Sequence, residues 1–279
     1  MLSRLPAALV RAALVVMLIV MPYALLPSAS GDNTQIIALV AIFSALFTIV
    51  EYSSNSPSLV EFRDAPPFNR MRFSTLFATV LCLSIIFRGG DAPSAVTAYF
   101  QNSGSAIGAA IDFPYSPVRL MVLMMPDGTD ISVIQRLRDA AGLAYLVSIF
   151  SVISFVILLR LNQWPRRTAA FNVWVNLPTF DPTAGGDVVR RLERDSRINV
   201  ILGFLLPFLV PAVIKIVSAF GTPIILDNPQ TLIWTVSAWA FLPASILMRG
   251  VALSRVAQMI RMQRARANER SAADDGMYQ

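Results

Sequence analysis

Gly142–Leu159 reads GLAYLVSIFSVISFVILL, a run with no charge, no proline and a single glycine at its first position. At a rise of about 1.5 Å per residue the run is about 27 Å long, close to the hydrocarbon thickness of a bilayer. Arg160, Trp164, Arg166 and Arg167 follow at once, the aromatic and basic border that marks the cytoplasmic end of a membrane-crossing helix. The stretch is therefore read as a helix that enters from outside and ends in the cytoplasm, and it orients its neighbours.

Composition agrees. Of 279 residues 55% are hydrophobic and only 14% charged, with a mean hydropathy of +0.60. A soluble domain carries about a quarter charged residues, so this is the composition of a membrane protein. The formal charge of +6 sits on arginines that border apolar runs, which points to topology and anionic headgroups rather than nucleic acid. The chain has no histidine, which excludes His-based triads, His-ligated haem or zinc and the usual near-neutral proton shuttle. Its one cysteine, Cys82, lies in an apolar run, where a thiol is inert packing.

Working outward from Gly142, the spacing of Ile131, Ile134, Leu137 and Ala141 predicts a helix, capped by Asp130, that runs directly into the span. Val118–Met125 (VRLMVLMM) is too short to cross and is expected to be interfacial or packed on the bundle. Pro93–Ile111, rich in Ala, Ser and Gly, reads as a weak surface helix. Upstream, further spans are expected at about 7–26, 34–50 and 71–87. The first of these reads either as a signal peptide ending at Ser28-Ala29-Ser30 or as a retained helix; the multi-span character of the rest favours retention. The loop between the second and third spans holds Arg63, Arg70 and Arg72, and its Pro66-Pro67 pair favours extended backbone. Downstream, Asp187 caps a basic helix through VVRRLERDSR, and spans follow at about 200–220 and 231–248. Helix is expected to continue to Arg270, with a disordered tail at 271–279.

The predicted fold is thus all-α: a polytopic α-helical membrane protein of about six transmembrane helices plus interfacial helices, with residues 1–270 forming one multi-span domain. Both short outer loops lack Lys and Arg, so the positive-inside rule puts N- and C-termini in the cytoplasm and the protein in the inner (cytoplasmic) membrane.

Few features carry chemistry. Lys215 is the only basic residue deep in a span; beside Pro207 and Pro211 it suggests an intramembrane ligand site, or a lysine snorkelling about 8 Å to the outer interface. The prolines, four apart, are expected to kink the fifth span and free backbone carbonyls. Met121, Met124 and Met125 read as packing rather than a copper site. The cytoplasmic loops offer an interaction surface at Glu61, Arg63, Asp64, Arg70, Trp174, Asp187 and Arg190, whose carboxylates lie near arginines and are expected to join the loops to each other. Arg255, Arg261, Arg264 and Arg266 suit anionic lipid. The segments DISVIQRLRD at Asp130 and DVVRRLERD at Asp187 hint weakly at inverted repeats.

No spacing matches a catalytic signature, so no catalysis, cofactor or metal is assigned. The expected function is protein–protein contact within a membrane complex, in its assembly or stabilisation. The alternatives are a small-molecule or lipid transporter using the Lys215 region and, third, a membrane enzyme. The expected partners are the lipid bilayer and another membrane protein.

Overall fold

A computed structural model of the chain describes residues 4–26, 31–89, 93–162, 164, 172–181, 185–221 and 228–277; at 31–33, 173, 174 and 270–277 only the backbone is described. Every regular element is helical: α1 Leu5–Leu25, α2 Gly31–Ser53, α3 Phe68–Arg88, α4 Ala95–Ile111, α5 Pro117–Leu123, α6 Ile131–Leu161, α7 Val173–Asn176, α8 Val188–Phe220 and α9 Pro229–Met277. Among the described residues six helices are long and apolar enough to cross a membrane: α1, the part of α2 from Thr34, α3, α6, α8, and α9 as far as Glu269.

The caps are local chemistry. Asp130 accepts from the Ser132 N–H at 2.7 Å and Asp187 from the Val189 N–H at 3.3 Å, both as expected for residues that satisfy an orphan donor at a helix start. Ser94 and Ser116 cap α4 and α5 in the same way. From Asp130 the helix runs without interruption into the span, as expected. From Asp187 the basic helix and the fifth span also merge, with α8 passing through both Pro207 and Pro211. The third span, expected at about 71–87, gains a turn at its start and has 21 residues, about 31 Å and a full crossing. At the other extreme α9 has 49 residues, about 74 Å. It continues as helix to Met277, past Ser271, where disorder is expected from the sequence.

Two apolar faces show what solvent these helices need. On α2, Ile36, Leu39, Phe43, Leu46 and Val50 are all exposed. On α8, Ile198, Leu202, Leu205, Leu209, Val213, Ile216 and Phe220 are exposed as well. Spacings of three and four residues make each set one continuous stripe. In water such stripes would drive aggregation; acyl chains solvate them at no cost.

Between the stripes lie two buried clusters, one towards each end of the bundle. Near Lys215, Val80, Leu83, Met121, Leu137, Ile233 and Val236 pack from α3, α5, α6 and α9. Met124 and Met125 join this cluster, so the methionines are packing, and α5 is held on the bundle. Near Arg249, Phe62, Phe68, Phe155, Leu177, Leu192 and Met248 form the second cluster. Backbones touch at glycines. A Cβ on Gly142 of α6 would lie 2.5 Å from the Gly108 Cα of α4, so α4 is a firmly packed element rather than a weak one. Likewise a Cβ on Gly250 of α9 would lie 2.9 Å from the Ser196 carbonyl of α8. Small residues let membrane helices approach this closely, and dispersion contacts then hold them.

Candidate functional site

The ionisable residues converge at the Arg249 end, on the loop between α2 and α3. Glu51, at the end of α2, shapes that loop: its carboxylate accepts from the Ser58, Leu59 and Val60 N–H groups at 3.1–3.2 Å and from the Ser58 hydroxyl. Arg63 works from the other side, donating to the Glu51 carbonyl at 3.0 Å and the Ser54 carbonyl at 2.6 Å. Its remaining donors meet Asp64 at 3.2 Å. The Pro66-Pro67 segment is a turn with a cis bond, not the extended backbone expected; Phe62, Ala65 and Phe68 on either side of it are buried in the core.

Held in this way, the loop presents Glu61 to α9 and to the segment between α7 and α8. The Arg249 guanidinium of α9 donates to Glu61 twice, at 2.6 and 2.7 Å, the planar fork geometry that makes arginine–carboxylate pairs strong. Arg249 also donates to Asn199 of α8 at 3.1 Å. Thr179 donates its hydroxyl to Glu61 at 2.7 Å. The two loops are joined through their backbones as well: the Phe62 N–H meets the Asn176 carbonyl at 2.7 Å, and the Asp64 N–H meets Asn176 Oδ1 at 3.2 Å. Arg72 reaches the same region from α3, its guanidinium 5.2 Å from the Phe68 ring centre and 5.9 Å from that of Phe241.

Of the residues singled out from the sequence, Glu61, Arg63 and Asp64 share this loop. Arg70 is exposed and lines a neighbouring cavity of about 220 Å³. Asp187 lies elsewhere, on α8, where it accepts from Arg264 of α9 at 2.6 Å. That hydrogen bond, with the Val189 N–H behind it, holds the Asp187 carboxyl below its ordinary value. Arg190 is exposed on the first turn of α8. The Trp174 side chain is outside the described residues. Arg261 pairs with Glu193, so Arg261 and Arg264 tie α9 to the start of α8, while Arg255 and Arg266 are exposed or half-exposed. Among the described residues no group of three or more His, Cys, Asp or Glu side chains is placed to hold a metal ion.

At the opposite end, Lys215 donates to the Met125 carbonyl at 3.1 Å and lies 3.8 Å from Asp127. Its side chain is 49% exposed, so it reaches out of its helix to the loop between α5 and α6. Pro207 and Pro211 lie between the two ends. Pro211 has no N–H to give the Pro207 carbonyl, and the Trp239 indole of α9 supplies one at 3.0 Å.

Three participants carry no signal in the sequence pattern: Thr179, Asn199 and the pairing role of Arg249. Glu61 and Arg249 are 188 positions apart, beyond any local periodicity. Trp239 was legible in principle, since a freed proline carbonyl requires a donor nearby. No family model matches the chain, and no curated protein or solved structure is significantly similar to it.

Proposed function

We infer that the chain is an integral protein of a cell's inner (cytoplasmic) membrane that works by contact, assembling or stabilising a membrane complex. The observation that carries this reading is how the charged residues at the Arg249 end are used. Glu61, Arg63, Asp64, Arg249, Asp187 and Arg264 satisfy one another and join loop, α8 and α9, which makes a rigid platform rather than a set of groups waiting for a substrate. Beyond that platform α9 carries an exposed face over residues 261–269, including Arg266. Arginine placement orients both chain ends towards the cytoplasm, so the exposed arm is offered to cytoplasmic or membrane-bound partners.

The test is extraction in mild detergent, affinity purification of the tagged full chain and identification of stoichiometric companions. A companion that co-purifies with the wild type and is lost on truncation after Arg264 supports the reading. A monomer whose substrate flux disappears on Lys215→Ala would overturn it in favour of a transporter.

A further inference from the structure

The 220 Å³ cavity beside the Glu51–Pro67 loop opens between the ends of α1, α2 and α3. Its mouth is cationic: Arg11 of α1, Arg63 of the loop and Arg70 of α3 face it, with Asn69 beside them. Arg63 is committed to Asp64 and to two loop carbonyls. Arg11 and Arg70 are not committed in this way. Among the described residues neither has a carboxylate within ion-pairing distance; Arg11 donates only to the Ala7 carbonyl of its own helix and lies 4.7 Å from the centre of the Tyr52 ring.

The floor is largely apolar, and on α1 and α3 it is reached one turn past the arginines. Leu14 and Val15 follow Arg11, Phe73 follows Arg70, and Thr48 precedes Tyr52, all lining the same cavity. Two helices, α1 and α3, therefore change from polar to apolar one turn past their arginines, as a helix does where the hydrocarbon of a bilayer begins. A free anion would gain from the mouth and nothing from the floor. A phosphate that carries acyl chains gains from both. The volume is below the roughly 300–1,000 Å³ that encloses a drug-sized molecule, which suits a headgroup whose tails leave between the helices.

We propose that this cavity is a binding site for the phosphate headgroup of an anionic membrane lipid, with Arg11 and Arg70 as its principal ligands and Arg63 as a fixed positive wall. Guanidinium groups match phosphate oxygens in geometry as well as charge. The site stands apart from the α9 arginines, of which Arg261 and Arg264 are already paired within the protein, and it does not depend on any protein partner.

Purified full-length protein in nonionic detergent is titrated with phosphatidylglycerol, with phosphatidylcholine and with inorganic phosphate, and thermal unfolding is followed. Phosphatidylglycerol is expected to raise the midpoint. Arg11→Gln and Arg70→Gln are each expected to raise the lipid concentration needed by about tenfold or more, the effect of losing one charge-assisted hydrogen bond. Arg197→Gln, at an exposed position of α8 away from the cavity, is expected to titrate as the wild type does. Among the described residues nothing bonds to the exposed Arg70, so its variant tests the site without disturbing folding. The proposal is overturned if Arg70→Gln titrates like the wild type, if Arg197→Gln loses as much, or if phosphatidylcholine gives the same shift. It is also overturned if inorganic phosphate alone reproduces the shift, which would make the cavity a soluble-anion site.

Discussion

The Trp239 indole of α9 donates to the Pro207 carbonyl of α8 at 3.0 Å. That carbonyl is free because the residue one turn on is Pro211, which has no N–H. Trp239 in turn stacks on Tyr145 of α6, ring centres 5.8 Å apart. A proline defect in one helix has thus become a point of attachment for two others, in an apolar setting where an unpaired carbonyl is costly.

Trp239→Phe should therefore destabilise the bundle by about 1–2 kcal/mol. Pro211→Ala restores an N–H for the same carbonyl, so Trp239→Phe should cost about 1 kcal/mol less in that background. A double-mutant cycle in detergent measures this. Strict additivity would mean that the indole contributes by packing alone.

Arg249 and Glu61 form the bidentate pair that ties the α2–α3 loop to α9. Removing one partner strands the other, as happens with any pair largely withdrawn from water. Arg249→Ala should cost about 2–3 kcal/mol, less than for a fully buried pair because Arg249 keeps 32% of its side chain exposed. The double variant Glu61→Gln with Arg249→Gln should cost less than the sum of the single changes. Denaturation midpoints of the four proteins decide it.

Much of this architecture is legible from local sequence, because spans, caps and merged helices each depend on residues within a turn or two of one another. Asp130 and Asp187 announce their helices by residue type. Lys215 is open to two readings from the sequence, and its bond to Met125, 90 positions away, is set by the fold rather than by local spacing. What escapes is set by contacts between distant segments. Nothing near Glu61 indicates Arg249, and nothing in AVTAYFQNSGSAIG shows that Gly104 and Gly108 will lie on α6. The turn at Pro66-Pro67 is equally hidden, since it accompanies burial of Phe62 and Phe68 against helices far along the chain.

The α4–α6 contact supplies a steric test. Gly142→Ala places a methyl group 2.5 Å from the Gly108 Cα, backbone that cannot turn aside, so the helices must separate at a cost of about 1–3 kcal/mol or more. Gly185→Ala, with nothing among the described residues within 4 Å of its Cβ, should change stability by about 0.5 kcal/mol at most. Thermal midpoints of the two variants should separate clearly.

Acid should loosen the junction of α8 and α9 before it affects the spans. Asp187 is held below its ordinary value of 3.8 by the Arg264 hydrogen bond. Its contribution is complete above that value, where the carboxylate is charged both folded and unfolded. It declines as pH falls below 3.8, where the unfolded chain takes up the proton first, and it is gone once pH has dropped through the lower folded value. Amide exchange at Val189–Arg191 should quicken over that interval in the wild type, and Asp187→Asn should remove the dependence.

The account rests on six crossings with both chain ends on the cytoplasmic face, and reporters fused to the N-terminus and to Gln279 test this directly. A reporter active only outside the cytoplasm should be silent at both ends, and one that requires the cytoplasm should work at both. Activity on opposite faces would contradict the six-span arrangement and the orientation of the Arg249 platform with it.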